Sequence, residues 1–209
     1  MPETSSVHAI IPLSLLEAIR NLDTPVEDGL EELAGEMVSK RLGLSPTVAA
    51  QITRYQEMAR KDGQVTVEEA VSVFRLVDRR PDAALVFADG GRRAARHALR
   101  TGRFQGKSPV TANPGFVART MGLRRASAAA RRIFGGELKM KGPVAAAEIG
   151  SPLSAVIAQS GKGCVFFGSA FGELLRFQIG FEGVMIHERC RARGDTVCQW
   201  RGTHTGGYE

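Results

Sequence analysis

The chain has 209 residues, of which 43% are hydrophobic and 24% are charged, and its formal net charge is +6. This composition is ordinary for a globular protein, and the length allows a substantial core. The excess of basic residues is compatible with nucleic acid, anionic lipid or an acidic partner. Only the distribution of the charges along the chain can distinguish these classes.

Targeting and membrane segments are not expected from the sequence. The first residues lack the basic region and the small-residue cleavage site of a secretory signal. With three cysteines and no such signal, a disulfide framework is not expected either. The most apolar long stretch carries Glu173, Arg176 and Glu182, which argues against a membrane span. We therefore expect a cytoplasmic protein.

Residues 1–80 are interpreted as a helical N-terminal segment. Apolar side chains recur at helical spacing from Leu13 to Leu22. The helices predicted after this one span residues 24–43, 45–63 and 66–80. Thr66 and Glu69 have the spacing of a capping box. Acidic residues lie among the arginines of this segment, which favours ordinary packing helices over a DNA-reading helix.

Positive charge is concentrated in the middle of the chain. Between Asp78 and Lys141 there are 15 Lys and Arg against 4 Asp and Glu. The predicted basic face consists of Arg92, Arg93, Arg96, Arg100, Arg124, Arg125, Arg131 and Arg132. It is either a solvated surface or a surface for phosphate, carboxylate or nucleic acid. Aromatic residues for base stacking are not interleaved with it.

The C-terminal part of the chain changes from helices to strands around one helix. Residues 137–151 are predicted to form a strand pair or one interrupted strand, with the break at Gly142-Pro143. An apolar, buried helix is predicted over 162–178, with Gly172 allowing a close approach. Two strands joined by a turn at Gly194 follow. The predicted fold class is α+β, an antiparallel sheet with helices packed on it.

The cysteines point to a metal site at the last predicted hairpin. When its strands pair about Gly194, Cys190 and Cys198 are equidistant from the turn and face one another. Two such sulfurs supply half of a tetrahedral zinc site. Cys164, at the start of the predicted helix, and His187, three residues before Cys190, complete a set of four ligands.

His187 and Cys190 present a geometric difficulty. Residues three apart on a regular strand point to opposite faces. These two side chains can share a metal only if a β-bulge, a strong bend or a strand end lies between them. Glu188 and His204 are therefore alternative candidates for the fourth ligand.

Other interpretations of the cysteines stay open at this point. A disulfide between Cys190 and Cys198 would leave Cys164 over, and a reducing compartment disfavours it. The cysteines can also be unconnected buried thiols. A Cys–His nucleophile is not favoured, because three cysteines with one histidine form a closed site, and closed sites are structural. The Arg-Gly-Asp triplet at 193–195 is interpreted as a turn.

Residues 161–200 resemble the four-vinyl-reductase-type (4-vinyl reductase) domain, which is related to small subunits of TRAPP vesicle-tethering complexes. Three features carry the match. Cys164 leads into an apolar helix rich in small residues, and a ligand-type residue, His187, stands three positions before Cys190. Seven residues that include Gly-Asp then separate Cys190 from Cys198. In zinc-bearing relatives, such as the sensor domains of phenol-responsive activators, the ligands are one cysteine, one glutamate and two cysteines. The resemblance implies structural zinc at Cys164, His187, Cys190 and Cys198, with His187 at the glutamate position.

The resemblance also implies a division of the chain. Residues 81–203 would be the zinc-containing 4-vinyl-reductase-like domain, behind the helical segment 1–80 and before a loose tail at 204–209.

A non-enzymatic role as a sensor or carrier is the function that the resemblance implies, with a small hydrophobic or tetrapyrrole-like ligand. The candidate pocket residues are Phe116, Phe134, Phe166, Phe167 and Phe171. No dinucleotide loop, P-loop or nucleophile elbow is present. The histidines of the chain also lack evident acid–base partners in the sequence, so catalysis is not expected.

Three alternative functions remain. The relation to tethering subunits implies a homodimeric interaction module, or scaffold, for an acidic protein partner. Other relatives suggest an accessory factor in bacteriochlorophyll biosynthesis, or a transcription regulator that acts through a partner. Direct nucleic-acid binding is compatible with the basic face but is not favoured.

Overall fold

A computed structural model describes residues 5–24, 42–100, 116–157 and 161–203. The helix predicted over 24–43 lies outside the described residues except at its ends, and the predicted tail at 204–209 lies outside them as well.

The first half of the described chain is mainly helical. Its elements are β1 (Ser6–His8), α1 (Ile10–Asp23), a 3-10 helix (Leu42–Leu44), α2 (Pro46–Arg60), β2 (Gln64–Thr66), α3 (Val67–Asp78) and α4 (Ala83–Arg100). The helices predicted near the positions of α1, α2 and α3 are confirmed. The short strands β1 and β2 were not predicted, and they pair antiparallel with Val7 opposite Val65.

Side-chain caps fix the starts of α2 and α3. Ser45 Oγ and Thr66 Oγ1 each accept a hydrogen bond from a backbone N–H three residues later, as N-cap residues do. A complete capping box would turn the Glu69 carboxylate back to Thr66. That carboxylate instead accepts hydrogen bonds from Arg54 and from the Tyr55 hydroxyl, so it ties α3 to α2.

The second half contains the main sheet and its helices. Its elements are α5 (Phe116–Ala129), a π-helical turn (Ala130–Phe134), β3 (Gly136–Lys141), β4 (Val144–Ile149), α6 (Pro152–Ile157), α7 (Cys164–Ile179), β5 (Ile186–Arg189), a 3-10 turn (Arg191–Arg193) and β6 (Cys198–Thr203). The predicted strand pair and the predicted buried helix are confirmed as β3–β4 and α7. Gly142, in the turn between β3 and β4, has a φ of 59°, which suits glycine.

The four-stranded sheet has the order β3-β4-β6-β5, and all neighbouring strands are antiparallel. Ala147 of β4 pairs with Leu138 on one side and with Trp200 on the other. The sheet therefore consists of two hairpins joined along β4 and β6. With helices packed against it, this sheet confirms the predicted α+β class.

Helix α7 lies against the sheet. A Cβ atom on Gly168 would lie 2.8 Å from Trp200 Nε1, so the indole occupies the space of a side chain there. Phe171, one turn later, packs its ring against Trp200 and against the backbone of Gly136. The small residues of α7 thus allow the sheet to approach the helix closely.

Helix α4 packs on α7, and its Gly91 sets the distance between them. A Cβ atom at Gly91 would lie only 2.1 Å from the carbonyl oxygen of Phe166. The predicted close approach at Gly172 is not the important one, because a Cβ atom there would meet Met185 Cγ at an ordinary 3.4 Å.

The buried carboxylate of α7 forms one ion pair with helix α4 and one within α7. Glu173 is 4% exposed and accepts hydrogen bonds from Arg96 of α4 at 2.7 Å and from Arg176 at 3.0 Å. Among the helices in the described ranges, none is both long and apolar enough to cross a membrane.

Helix α1 lies in the centre of the helical packing. Every residue from Ile10 to Ile19 is buried, whereas the sequence predicted burial along one face only. Leu22, expected on that face, is 39% exposed. The buried side chains of α1 belong to one continuous hydrophobic core with those of the main sheet. The domain boundary near residue 80 stays a prediction.

Candidate metal centre

Three separate elements bring four ligand-type side chains together. Cys164 is the first residue of α7, His187 lies on β5, Cys190 follows β5, and Cys198 is the first residue of β6. One ligand atom from each of these residues lies within 4.8 Å of the other three. The sequence-predicted set is therefore a cluster that can hold a metal ion.

The spacing of the sulfur atoms suits tetrahedral coordination. Cys164 Sγ lies 3.9 Å from Cys190 Sγ and 3.9 Å from Cys198 Sγ. A tetrahedral zinc ion with Zn–S bonds of about 2.3 Å would place its sulfurs about 3.8 Å apart. The three cysteines are free thiols, and the distances are far longer than the roughly 2.05 Å of a disulfide.

A β-bulge resolves the geometric difficulty between His187 and Cys190. His187 pairs with Trp200, but Arg189 pairs with Gln199, so Glu188 is an extra residue on β5. The additional residue reverses the alternation of side chains. His187 and Cys190 consequently face the same side, as the sequence required.

The turn between the cysteines is built around Cys190. Its carbonyl accepts hydrogen bonds from the N–H groups of Arg193 and Asp195, at 2.8 and 3.3 Å. Its own N–H donates to Asp195 Oδ2 at 2.7 Å. Gly194 closes the turn with a φ of 93°, a conformation that favours glycine. The Arg-Gly-Asp triplet therefore forms the predicted turn, in which Asp195 holds a cysteine backbone in place.

The cluster is closed to solvent on its sulfur side. Cys164, Cys190 and Cys198 are 2%, 4% and 0% exposed. The ring of His187 stacks on Trp200, with 4.8 Å between the ring centres. His187 Nε2 is buried and has no hydrogen-bond partner among the described residues. A buried ring nitrogen without a partner is costly, and binding a cation is one way to satisfy it.

Ionisation is uneven among the thiols. The pKa of Cys198 is lowered to about 5, first by the hydrogen bond from Cys164, then by the Arg191 backbone N–H and by His187, against the opposing effect of burial. The pKa of Cys164 is raised, first by its hydrogen bond to Cys198 and then by burial. Neighbouring thiolates repel one another, so all three can ionise together only beside a cation.

Glu188, one of the two alternative fourth ligands, is not part of the cluster. The Glu188 carboxylate lies 3.3 Å from Arg201 Nε and is partly exposed. His204 lies outside the described residues. Sequence reasoning missed the stacking of Trp200 on His187 and the hydrogen bond of Asp195 to Cys190. An aspartate after a turn glycine was the available signal for the second of these.

The predicted pocket phenylalanines lie in the core. Phe134, Phe166, Phe167 and Phe171 are at most 2% exposed, and their rings pack edge-on or stacked against one another. The side chain of Phe116 lies outside the described part of the chain. A ligand-lining role for these residues stays a prediction.

The predicted basic face is divided between α4 and α5 with its π-helical turn. Several of its arginines form ion pairs, including Arg93 with Asp89 at 2.6 Å and Arg132 with Asp62. Arg92, Arg100, Arg124 and Arg131 are exposed, and Arg125 is half-buried.

Two histidines have carboxylate partners, contrary to the expectation from the sequence. His97 Nε2 lies 2.7 Å from Glu17 Oε2, and His8 Nε2 lies 3.1 Å from Asp62 Oδ1. These pairs could not be predicted from local sequence patterns, because 80 and 54 residues separate the partners. His8 Nδ1 accepts a hydrogen bond from the N–H of Ile10, so both ring nitrogens of His8 are used structurally.

No protein-family model, curated protein or solved structure matches the chain.

Proposed function

We propose that the chain is a zinc-containing domain of the four-vinyl-reductase type, which binds a hydrophobic or tetrapyrrole-like ligand as a sensor or carrier and does no chemistry of its own. The observation that carries the proposal is the buried cluster of three cysteines and one histidine. Structural zinc sites use this donor set, with four protein ligands.

The chemistry of the donors supports zinc over magnesium or calcium. Thiolate and imidazole ligands suit zinc, whereas magnesium and calcium require oxygen ligands. Four protein ligands would leave no coordination position for a substrate or an activated water. A structural role is thus the natural one for a metal at Cys164, His187, Cys190 and Cys198.

A cavity beside α7 is the place that we propose for the ligand. It has a volume of about 410 Å³ and lies between the small-residue face of α7 and the segment 181–185. Phe181 and Met185 contribute apolar surface, Arg92 and Arg176 contribute positive charge, and Glu173 and Glu182 contribute carboxylates. Because Arg176 is paired with Glu173, we propose Arg92 as the partner for a carboxylate on an apolar ligand.

Native mass spectrometry of protein purified without added metal tests the zinc proposal. We expect one zinc per chain, lost in Cys190→Ser and retained in Glu188→Gln, the matched control on the same hairpin. A metal-free protein that is two hydrogens lighter than its reduced mass would contain a disulfide, and the zinc proposal would then be wrong. A different metal at full occupancy would contradict it as well.

Ligand binding needs a separate test, with protoporphyrin IX as the probe. A carrier should be stabilised against thermal unfolding to an extent that grows with porphyrin concentration. Gly172→Leu would fill the proposed cavity and should abolish the stabilisation. Gly150→Ala, outside the cavity and with an ordinary 3.6 Å to the nearest atom, should retain it. Equal stabilisation of both variants would exclude this cavity.

A homodimeric interaction module is the second candidate function, and the edge of the sheet favours it. Strand β5 is an edge strand. Ile186, its first residue, is 65% exposed, and Val184, two residues before it, is 77% exposed. Exposed apolar side chains at an open strand edge are typical of association surfaces.

Light scattering should show a dimer that Ile186→Lys dissociates. The control Leu85→Lys changes a side chain that is 64% exposed on α4 and should leave the dimer intact. A monomer at all concentrations would exclude this candidate.

Bacteriochlorophyll biosynthesis, transcription control through a partner, and an acidic protein partner are supported by the sequence resemblance and the charge distribution alone. They would become specific proposals once a bound ligand or partner is identified.

A further inference from the structure

A second concave surface lies away from the cysteine cluster, between α1 and α4. It has a volume of about 340 Å³ and is lined by Glu17, Arg20, Arg93, Arg96, His97 and Arg100. Four guanidinium groups thus surround one carboxylate. We name this surface the arginine cleft. Its volume is near the lower end of the range for small-molecule sites, about 300–1,000 Å³.

The carboxylate of the arginine cleft, Glu17, already has two hydrogen-bond donors, an imidazole and a side-chain amide. Glu17 is buried, and it accepts hydrogen bonds from His97 Nε2 at 2.7 Å and from Gln56 Nε2 at 3.1 Å. Burial acts first and raises the pKa of Glu17, but the interactions with His97, Gln56 and Arg93 together outweigh burial and lower the pKa. Glu17 is therefore an ionised carboxylate within the cleft, hydrogen-bonded to His97 and electrostatically coupled to Arg93, and the four arginines outnumber it.

Two of the arginines are held in position by acids on the helices themselves. Arg93 Nε donates to Asp89 at 2.6 Å, and Arg96 Nε donates to Glu173 at 2.7 Å. Each of these bonds uses the Nε–H group, whereas a guanidinium has four further N–H donors. The ion pairs therefore orient the two groups and reduce the entropy that an anion must overcome to bind them.

The other two arginines come from helix ends. Arg20 lies in the last turn of α1, and Arg100 lies in the last turn of α4. Both are exposed. A basic residue in a last turn also stabilises its own helix through the helix dipole. Interaction with the helix dipole does not require the ends of α1 and α4 to lie at the same cleft, but both arginines line it.

From this arrangement we infer that the arginine cleft is a binding site for a small polyanion with adjacent oxyanion groups, of the pyrophosphate or phosphate-ester class. Planar guanidinium groups bind phosphate oxygens in pairs. Phe, Tyr and Trp are absent from the described lining residues, so base stacking is not offered. The cleft is open to solvent, and its volume of about 340 Å³ suits a small anion.

Calorimetric titration of the full chain with pyrophosphate, at constant ionic strength, tests the inference. We expect saturable binding of one pyrophosphate per chain. Arg20→Gln should weaken the affinity by about tenfold, and Arg20→Lys, which keeps the charge, should restore part of it. The matched control is Arg60→Gln, which removes an exposed arginine from the last turn of α2, outside the cleft. This variant loses the same charge and should bind like the wild type.

The outcomes separate a specific site from general attraction by positive charge. Equal weakening in Arg20→Gln and Arg60→Gln would show that only the net charge matters, and the inference would fail. It would fail also if pyrophosphate did not bind, or if an oligonucleotide bound and pyrophosphate did not displace it. Circular dichroism of each variant shows whether the fold is kept. If Arg20→Gln does not fold, Arg100→Gln, which changes a different arginine of the cleft, gives the second measurement.

Discussion

The helical centre and the β5–β6 hairpin of this chain are ordered by different means. In α1, ten consecutive residues from Ile10 to Ile19 are buried. In β5, none of the four residues from Ile186 to Arg189 is fully buried. Burying one large apolar side chain contributes about 1.5–3 kcal/mol, so α1 is held by its side chains.

The hairpin lacks that source of stability. A short two-stranded hairpin is marginal in water, and the side chains of β5 face largely outward. Its buried groups are instead sulfur atoms, an imidazole and the indole of Trp200. The two regions therefore differ in what is buried, namely apolar side chains in α1 and a cluster of three cysteines and one histidine at the hairpin.

Metal removal should have the largest effect, and only in the hairpin at first. Structural zinc contributes on the order of 10 kcal/mol of apparent binding free energy near neutral pH. Chelation should therefore release Trp200 from His187 and expose the amides of β5 and β6 to hydrogen exchange, while α1 stays protected. The emission of Trp200, the sole tryptophan of the chain, reports the change directly. If metal-free protein kept the emission of Trp200 and the hydrogen-exchange protection of β5 and β6, the hairpin would not depend on a metal. The contrast with α1 would then not hold.

Closing the gap between α4 and α7 should damage the helical centre and leave the metal content unchanged. Gly91→Ala places a Cβ atom against the carbonyl of Phe166, where only 2.1 Å is available. Overpacking of this kind costs about 1–3 kcal/mol. Urea unfolding measures the loss, with Gly172→Ala as the control at a site where the distance is 3.4 Å. Equal losses in both variants would contradict the close contact.

The buried carboxylate of Glu173 should make stability depend on pH. Burial acts first and raises its pKa, but hydrogen bonds from Arg176 and Arg96 outweigh burial and lower the pKa below the usual 4.5. A lowered pKa adds stability above the unfolded value, and this contribution is lost as the pH falls through the folded value.

Comparison with Glu173→Gln isolates that contribution. The wild type should be more stable by roughly 1–2 kcal/mol at pH 7, a modest figure because both arginines are partly exposed. The difference should shrink as the pH falls below 4.5, which is the usual pKa of a glutamate. Urea unfolding of both proteins from pH 7 to pH 3 measures it. A difference that is independent of pH would mean that the charge of Glu173 is not the cause.

The smallest effect concerns the cap of α3. Thr66→Ala removes the acceptor for the Glu69 N–H and should cost about 1 kcal/mol. Thr66→Ser keeps the hydroxyl and is the control. Metal content should not change in either variant, and a loss of zinc in Thr66→Ala would show that the two regions are coupled.

Local signals in the sequence were sufficient for most elements, and they pointed to side chains that the fold brings into one cluster. The starts of α2 and α3, the turn at Gly142 and the extent of α7 depend on neighbouring residues, and all were predicted. Cysteine spacing about Gly194 predicted that Cys190 and Cys198 face one another, and the position of Cys164 before a helix and the family resemblance added Cys164 and His187 to the candidate set. Side-chain alternation alone predicted a bulge, a strong bend or a strand end between His187 and Cys190, and the structure has a bulge at Glu188.

Contacts between distant parts of the chain were not predictable in the same way. Whether Gly91 or Gly172 permits the close approach depends on which helix crosses α7, and sequence periodicity does not contain that information. The burial of α1 on all sides has the same origin. The pairs His97–Glu17 and His8–Asp62 join elements that meet only in the folded molecule.

The strand order of the main sheet has a consequence for how the protein acquires its structure. β3–β4 and β5–β6 are each local hairpins, and each can form before the other. Until β6 joins β4, both hairpins present open edges, and Trp200 lies on one of them. Open edges of this kind pair readily with other chains. Refolding yield should therefore fall as protein concentration rises, and a metal that closes the second hairpin early should raise it.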